Sequence, residues 1–269
     1  MTPKQRKLRK ILRIVLPVLL AVLVLLTALF LIRKFRNVQE EAELPELAHN
    51  AYRAEAFYME DGFLRYTDAQ HMIGIDVSAH QKEIDWQAVA DAGVEFAVIR
   101  VGYRGYTEGG LFEDEFFRAN VEGAQAAGVR VGVYFFSQAR NAEEAREEAE
   151  YACDLVDGYT LSLPVFYDWE TVEGSERIPS ANGIPMTECA LAFCETVENN
   201  GYAAGVYFNQ TYGYLYLDLE RLQGYTLWLA EYNDVPTFAY GFDCVQYTDS
   251  GTVPGIEGTV DLDLLIIKE

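Results

Sequence analysis

The stretch Pro164-Val165-Phe166-Tyr167-Asp168-Trp169-Glu170 joins a short apolar, strand-like run to two carboxylates at its carboxyl end. Side chains at positions i and i+2 of a strand point to the same side, so Asp168 and Glu170 are expected to face one pocket while Trp169 faces away. Two neighbouring carboxylates do not both ionise easily, so the pKa of one is raised. The motif is therefore typical of a site that needs a protonated acid beside an ionised partner.

Two further acidic motifs lie at the edges of apolar runs, Gly74-Ile75-Asp76-Val77-Ser78 and Val260-Asp261-Leu262-Asp263. Strand-like runs and helical patterns alternate between them, and Gly93 and Gly128 mark the ends of the first two helices. The predicted helices cover 85–92, 114–127, 141–156 and 186–200. The predicted strands cover 73–77, 96–101, 130–136, 164–168, 203–208, 227–231, 243–247 and 264–267.

Strands that alternate with helices predict parallel pairing, and therefore an α/β barrel or a doubly wound sheet. Eight strands within about 200 residues favour a compact, irregular barrel, in which chemistry lies at the carboxyl ends of the strands. Asp76 lies near the end of the first predicted strand, and Asp168 and Glu170 lie at the end of the fourth. We therefore expect these acids to meet in one site.

Residues 14–32 are uncharged and almost wholly apolar, which is about the length needed to cross a bilayer as a helix. Pro17 stands near the start of this segment, where a proline is tolerated better than in a helix interior. The larger basic cluster precedes the segment, so residues 1–13 are predicted to form a cytoplasmic tail and the remainder to lie outside. A cleaved signal peptide is the alternative, but the run ends in Arg-Lys-Phe-Arg without an Ala-x-Ala-like site.

Residues 33–71 are predicted to form a helical stalk or loosely ordered spacer between the membrane segment and a globular domain at 72–269.

The chain has a net charge of −21, and residues 1–36 carry nine Lys/Arg and no acid. The strongly acidic remainder argues against nucleic-acid binding and against binding of anionic lipid surfaces. Four cysteines occur without a CxxC motif, so buried free thiols are expected, with one disulfide as the alternative.

Seven motifs in order resemble the family 25 glycoside hydrolases, the Chalaropsis-type lysozymes, over residues 72–269. The opening block is Gly74-Ile75-Asp76-Val77-Ser78 with Gln81 and Ile84-Asp85-Trp86, and the Asp-x-Glu signature is Asp168-Trp169-Glu170. The other motifs are Phe96-Ala97-Val98-Ile99-Arg100, Val131-Gly132-Val133-Tyr134-Phe135, Trp228-Leu229-Ala230-Glu231-Tyr232, Gln246-Tyr247 and Gly258-Thr259-Val260-Asp261.

Three positions depart from the family pattern. Lys82 stands where a Gly is usual, Val245 where a Trp is common, and Asp263 where an Asn is frequent. The first two are expected to affect loop shape and the packing of sugar subsites. Asp263 adds a carboxylate near the site and is expected to alter its pKa balance.

The resemblance implies a β-1,4-N-acetylmuramidase that cleaves peptidoglycan between N-acetylmuramic acid and N-acetylglucosamine with net retention. It also implies an irregular TIM-like barrel, (β/α)5(β)3, and no metal or organic cofactor. The expected partners are peptidoglycan glycan strands and, through the N-terminal helix, the bacterial cell membrane, with the catalytic domain on the extracytoplasmic side.

Glycoside cleavage needs a proton donor to the leaving oxygen and a group that stabilises an oxocarbenium-like transition state. The resemblance implies Glu170 as general acid and base, Asp168 as stabiliser of the intermediate, and Asp76 and Asp261 as positioning acids. Two retaining routes stay open: attack by the substrate's acetamido oxygen, or attack by a carboxylate such as Asp168. The expected sugar-binding residues are Tyr134, Tyr207, Trp228, Tyr232, Arg100 and Gln246.

Each of these residues also has a purely structural alternative. The aromatic residues among them serve equally well to fill a core, Arg100 can end its strand in solvent, and His80 fits a surface position. At the level of the whole protein, the rival functions are an inactive barrel that only binds cell-wall glycans, and a hydrolase of another N-acetylated glycan such as chitin. A pure binding module has no need for a perturbed carboxylate pair, which argues against the first rival.

Overall fold

Eight strands close into a barrel in the computed structural model, which describes residues 46–268. With three strands outside the barrel (β1, β2 and β5), these residues form eleven strands: β1 (Phe57–Glu60), β2 (Phe63–Tyr66), β3 (His71–Val77), β4 (Phe96–Arg104), β5 (Leu111–Glu113), β6 (Arg130–Ser137), β7 (Val165–Trp169), β8 (Ala204–Asn209), β9 (Thr226–Ala230), β10 (Cys244–Gly251) and β11 (Val260–Ile266). The helices are α1 (Trp86–Asp91), α2 (Phe117–Ala126), α3 (Ala142–Val156), α4 (Met186–Asn199), α5 (Gln210–Leu215) and α6 (Leu219–Leu222).

Parallel pairing runs around the barrel in the order β3, β4, β6, β7, β8, β9 and β10. The last strand, β11, is antiparallel to both β10 and β3 and closes the barrel. Within the described part of the chain, the short strand β5 is an extension that pairs only with β4. Helices follow each of the first five barrel strands and none separates the last three, so the predicted (β/α)5(β)3 barrel is confirmed for residues 46–268.

The predicted last strand, 264–267, needs correction because β11 already begins at Val260. The acidic motif 260–263 therefore lies inside a strand. The predicted parallel pairing does not extend to β11, which is antiparallel to its neighbours. A short connection joins β10 to β11, and no helix carries the chain back to the other end of the barrel.

The barrel interior is filled by alternate residues of each strand, as the period of two requires. Below the carboxylates, the interior side chains form a buried cluster of Met72, Phe96, Val98, Tyr134, Phe166, Trp228 and Cys244. Two glycines make room for its rings. A Cβ on Gly74 would lie 2.2 Å from the ring of Phe96, and one on Gly205 would lie 2.4 Å from the ring of Phe166.

Residues 46–71, predicted as part of a loose spacer, instead pack against the barrel. β1 and β2 form a hairpin whose turn, Asp61-Gly62, has positive φ at both residues (53° and 84°). The Tyr247 hydroxyl accepts a hydrogen bond from Leu64 N (3.1 Å), and Leu64 is fully buried. The physical reason is local, because an Asp-Gly pair between two strand-like runs favours a tight hairpin with one face to bury.

Among residues 46–268, no helix combines the length and the apolarity needed to span a bilayer. The predicted cytoplasmic tail 1–13, the predicted membrane helix 14–32 and the first part of the predicted spacer 33–71 lie outside the described residues. All four cysteines are buried free thiols, which confirms the first of the two expectations for them.

The close approach at Gly74 generates a stability prediction. Gly74→Ala is expected to lower the free energy of unfolding by about 2–3 kcal/mol, because the new methyl group overlaps the Phe96 ring in a packed interior. Gly224→Ala is the matched control, since a Cβ at Gly224 meets nothing within 4 Å. Urea unfolding of the two variants measures the difference. Equal stability of the two variants would contradict the packing described for the barrel interior.

Candidate active site

A cavity of about 250 Å³ opens at the carboxyl ends of the barrel strands and collects the predicted site residues. All four predicted catalytic acids and all six predicted sugar-binding residues line it. The lining residues are Asp76, His80, Arg100, Tyr134, Phe136, Asp168, Glu170, Tyr207, Trp228, Tyr232, Gln246 and Asp261. Sequence reasoning left out Phe136 and assigned His80 to the surface; His80 is exposed, but at the rim of this cavity.

Asp168 and Glu170 lie on the same side of the chain, as the strand period predicts. Asp168 is buried near the end of β7. Glu170, the first residue after this strand, is partly exposed. Trp169 faces the other way, where its indole Nε1 donates to the carbonyl of Ala139 (2.8 Å). Among residues 46–268, Asp168 Oδ1 has no hydrogen-bond partner, so this buried oxygen is free to accept a hydrogen bond from a bound molecule.

Burial and neighbouring charges shift both carboxyl groups towards their protonated forms. Burial raises the pKa of Asp168 well above its usual range, the charge of Glu170 raises it further, and the guanidinium of Arg100 acts against them. Burial also raises the pKa of Glu170, with a further contribution from Asp261. The geometry therefore supplies a proton donor and a neighbouring carboxylate at the same opening.

A hydrogen-bond network fixes Asp76 on the opposite wall. The Gln246 Nε2 donates to Asp76 Oδ2 (2.7 Å), and Gln246 Oε1 accepts from the hydroxyls of Tyr207 (2.9 Å) and Tyr232 (3.2 Å). The carboxamide of Gln246, predicted to bind sugar, is thus engaged mainly with protein groups. It connects one acid to two tyrosines that border the cavity.

The closing strand β11 adds two acids beside Asp76. Asp261 pairs in register with Asp76, and Asp263 pairs with Gly74 one step deeper in the barrel. Burial, and next the charge of Asp249, raise the pKa of Asp261 to about 6. Because β11 belongs to the barrel wall, Asp261 is held by a regular strand rather than by a loop.

Asp263 is fully buried, and one of its oxygens accepts a hydrogen bond from Trp228 Nε1 (2.8 Å). Burial raises the pKa of Asp263 well above its usual range. Burial is also the largest cause of the raised pKa of Asp76, followed by the charges of Asp263 and Asp261. The Asp found at position 263, where the family often has Asn, therefore contributes to the raised pKa of Asp76.

Arg100 is oriented by Asp114, a residue that sequence reasoning assigned only to a helix. Arg100 Nε donates to Asp114 Oδ2 (2.7 Å), and the same oxygen accepts from the backbone N of Ala79 (3.0 Å). Asp114 thereby joins β4 to the turn that carries His80. The two partners are 14 residues apart in sequence and meet only through the β4–β5 extension, so no local pattern identifies the pair.

A buried polar network supports the backbone behind Glu170. Gln138 Nε2 donates to the Glu170 carbonyl, and the backbone N of Gln138 donates to Glu148 Oε1 (3.3 Å). Glu148 is fully buried, where it accepts from Arg104 Nε (2.7 Å) and Ser137 Oγ (2.5 Å). Burial raises the pKa of Glu148 to about 7 despite these partners. This network had no recognisable sequence signature.

Three of the four predicted sugar-binding aromatic residues divide into two groups. Trp228 and Tyr134 are buried at the floor of the cavity, and Trp228 is only 2% exposed and packed against Phe166. Tyr232 is 53% exposed at the rim. The floor residues thus fill the barrel core as well as line the cavity, while Tyr232 offers a free ring face to a ligand.

Comparison with known proteins identifies similar chains. The profile of Glycosyl hydrolases family 25 matches residues 75–256. The autolytic lysozyme of Clostridium acetobutylicum is 30% identical over 195 residues, which are 71% of this chain and 55% of that protein. Lysozyme M1 of Streptomyces globisporus is 38% identical over 106 residues, which are 38% of this chain and 34% of that protein.

Among solved structures, the modular autolysin LytC from Streptococcus pneumoniae in complex with a synthetic peptidoglycan ligand has a TM-score of 0.63 and 25% sequence identity. The match covers 78% of this chain and 52% of that chain. This chain therefore spans about half the length of the autolytic lysozyme and of LytC, and about a third of lysozyme M1.

The buried acids generate a prediction about stability and pH. Their pKa values are raised in the folded state, so the stability they contribute is complete below their unfolded pKa, about 4, and is lost as the pH rises through the folded pKa. We expect the free energy of unfolding to fall as the pH rises from about 4 towards neutrality, by up to about 1.4 kcal/mol per pH unit for each group that titrates.

Asp263→Asn is expected to make this fall shallower, because the amide oxygen can still accept from Trp228 while the titrating group is removed. Denaturant unfolding between pH 4 and 8 measures the slope. Glu257→Gln, at an exposed position, removes a carboxylate without touching the barrel interior and serves as control. Identical slopes for the wild type and Asp263→Asn would contradict the assignment of part of this pH dependence to the buried carboxyl group of Asp263.

Proposed function

The chain belongs to glycosyl hydrolases family 25, and on that premise we propose that it cleaves the β-1,4 bond between N-acetylmuramic acid and N-acetylglucosamine in peptidoglycan. In this proposal cleavage proceeds with net retention at the anomeric carbon. The observation that carries the proposal is the meeting of Asp168 and Glu170 with Asp76 and Asp261 in one cavity at the carboxyl ends of the barrel strands.

Glu170 acts as the general acid in this proposal. It is the more exposed member of the pair, so a glycosidic oxygen can reach it, and burial together with Asp261 raises its pKa towards the protonated form. After the leaving group departs, the resulting carboxylate takes a proton from the attacking water. The network from Glu148 through Gln138 holds the backbone of Glu170 in place for both steps.

Asp168 stabilises the intermediate in this proposal. Its buried Oδ1 lacks a donor among the described residues, and a substrate acetamido N–H supplies one. A carboxylate that accepts this hydrogen bond would orient the acetamido oxygen for attack on the anomeric carbon and balance the positive charge of the resulting ring. The alternative retaining route, direct attack by Asp168, uses the same residue and gives the same stereochemistry.

The other cavity residues position these groups and the sugar. Asp76 is fixed by Gln246 and faces Asp261 across the β3–β11 pair, which suits both acids to orient the substrate or the water. Tyr232 offers an exposed ring for stacking on a sugar, and Arg100 moderates the charge of Asp168. The peptidoglycan ligand bound by the related autolysin LytC supports a glycan strand as the partner.

We also propose that residues 14–32 anchor the protein in the bacterial cell membrane, with residues 1–13 in the cytoplasm and the hydrolase domain on the extracytoplasmic side. The length and apolarity of this segment and the basic residues that precede it support the proposal. A tether of this kind would restrict cleavage to cell wall near the membrane. Fractionation of cells, followed by protease treatment of intact spheroplasts, tests both the anchoring and the orientation.

The decisive test of the activity is Glu170→Gln. We expect the full-length protein in detergent to release reducing ends from purified peptidoglycan, with muramic acid at the new end. We expect Glu170→Gln to lower kcat by at least about a hundredfold, because the amide cannot donate the required proton. Glu173→Gln, an exposed residue on the same loop, is the matched control and should keep full activity.

Two outcomes of this assay would contradict the proposal. If a folded protein sediments with peptidoglycan but releases nothing from several wall types, the barrel is a glycan-binding scaffold. If it releases products only from chitin-like polymers, it is a hydrolase of another N-acetylated glycan.

The stereochemistry gives a separate test. Proton NMR during the first minutes of cleavage is expected to show the β-anomer of the new reducing end before mutarotation, because both proposed routes involve two displacements at the anomeric carbon. Initial appearance of the α-anomer would exclude both routes and would assign Asp168 to activation of a water instead.

A further inference from the structure

A row of three aromatic residues leads from the cavity out over the β4–β5 extension. Phe136 on β6 lines the cavity, and it is the register partner of Tyr103 on β4. Tyr103 is in turn the register partner of Phe112 on β5. Register partners on neighbouring strands place their side chains on the same face of a sheet, so the three rings share the face that looks towards the cavity. We call these three residues the aromatic ledge.

At its outer end, the aromatic ledge presents an exposed apolar surface that belongs to Phe112. The rings of Tyr103 and Phe112 are stacked, with centroids 5.4 Å apart and an interplanar angle of 26°, and Phe112 is 49% exposed. Neighbouring strands are about 4.8 Å apart, so the three rings extend over about 10 Å from the cavity outward.

Both outer rings are fixed before any ligand binds. A Cβ on Gly105 or on Gly110 would lie 3.2 Å or 3.3 Å from the Phe112 ring, so this ring rests closely on glycine backbone. The guanidinium of Arg100 lies 5.5 Å from the centroid of the Tyr103 ring, and Arg100 is itself held by Asp114. A ring that is already immobilised loses little conformational entropy when a ligand stacks on it.

The position and chemistry of the aromatic ledge indicate which class of ligand it can bind. The ledge is continuous with the cavity through Phe136, so a linear polymer held in the cavity can extend along the same face of the sheet. Flat aromatic rings offer a large apolar contact area at low entropic cost, which suits the C–H face of a pyranose. The acidic body of the protein disfavours polyanions such as nucleic acids at this face.

We propose that the aromatic ledge binds the sugars of the glycan strand that lie beyond those held in the cavity, and that it makes the protein favour long strands over short fragments. This inference rests on the proposed function for the identity of the polymer. Its residues are separate from the four carboxylates, so binding along the ledge can be measured whether or not cleavage occurs.

The first arm of the test compares substrate lengths in the full-length protein. Phe112→Leu keeps most of the apolar volume and removes the flat ring, and Tyr103→Ala removes the neighbouring ring. Each is expected to lower kcat/KM on long glycan strands about three- to tenfold, mainly through KM, as expected for the loss of one aromatic stacking contact. On a fragment of two disaccharide repeats, both variants should match the wild type. Phe112→Trp should restore the preference for long strands.

Tyr58→Ala is the matched control for loss of an exposed aromatic residue, because Tyr58 is 41% exposed on the β1–β2 hairpin, which packs on the barrel away from the site. Equal kcat/KM for the wild type, Phe112→Leu and Tyr103→Ala on long strands would overturn the proposal. So would an equal loss on long and short substrates, since that result would place these residues at the cleavage site.

The second arm measures binding without cleavage. In a Glu170→Gln background, calorimetric titration with long glycan strands should give about three- to tenfold weaker binding for Phe112→Leu and Tyr103→Ala. If no cleavage occurs in the parent protein but this binding difference is found, the proposed function fails and the ledge stands. If cleavage occurs and binding is unchanged in both variants, the proposal that the aromatic ledge binds glycan is wrong, while the proposed function is supported.

Discussion

The central constraint on this protein is the burial of several carboxyl groups inside a closed barrel. Asp76, Asp168 and Asp263 all point into an interior whose lower half is filled by apolar and aromatic side chains. Removing a carboxylate from water is costly, so the pKa of each group rises and the protonated form is favoured. Stability and chemistry depend on the same groups, because burial makes ionisation of these acids costly and, for the same reason, raises their pKa values.

Closure of the barrel by an antiparallel strand determines how these acids are arranged. β11 lies between β10 and β3, so it brings Asp261 directly opposite Asp76 and seats Asp263 against Trp228. Below them, Gly74 and Gly205 leave space for the rings of the interior cluster. The site is therefore built on a rigid floor, and the acids are attached to strands and their immediate ends rather than to long loops.

Around this interior, the protein uses aromatic residues in two different ways. Trp228 and Tyr134 are buried, and they support the acids from below. Tyr232 and the ledge residue Phe112 are about half exposed, so each leaves aromatic surface accessible to a ligand. The arrangement fits a linear polymer that is held at its reacting bond by polar groups and along its length by ring faces. A membrane tether, as proposed for residues 14–32, would present this surface to nearby cell wall.

The sequence by itself determined most of the strands, the four main helices and the four acids that line the cavity, because strand and helix periodicity are local properties and the Asp-x-Glu motif lies at the end of one strand. It also contains a hairpin signal, Asp61-Gly62, within the segment predicted to be a stalk or spacer. The tertiary structure alone decided the antiparallel course of β11, the Asp114–Arg100 pair, the Glu148–Gln138 support and the ledge. Each of these depends on contacts between segments brought together by barrel closure, and periodicity within one segment carries no information about which distant segment will lie beside it.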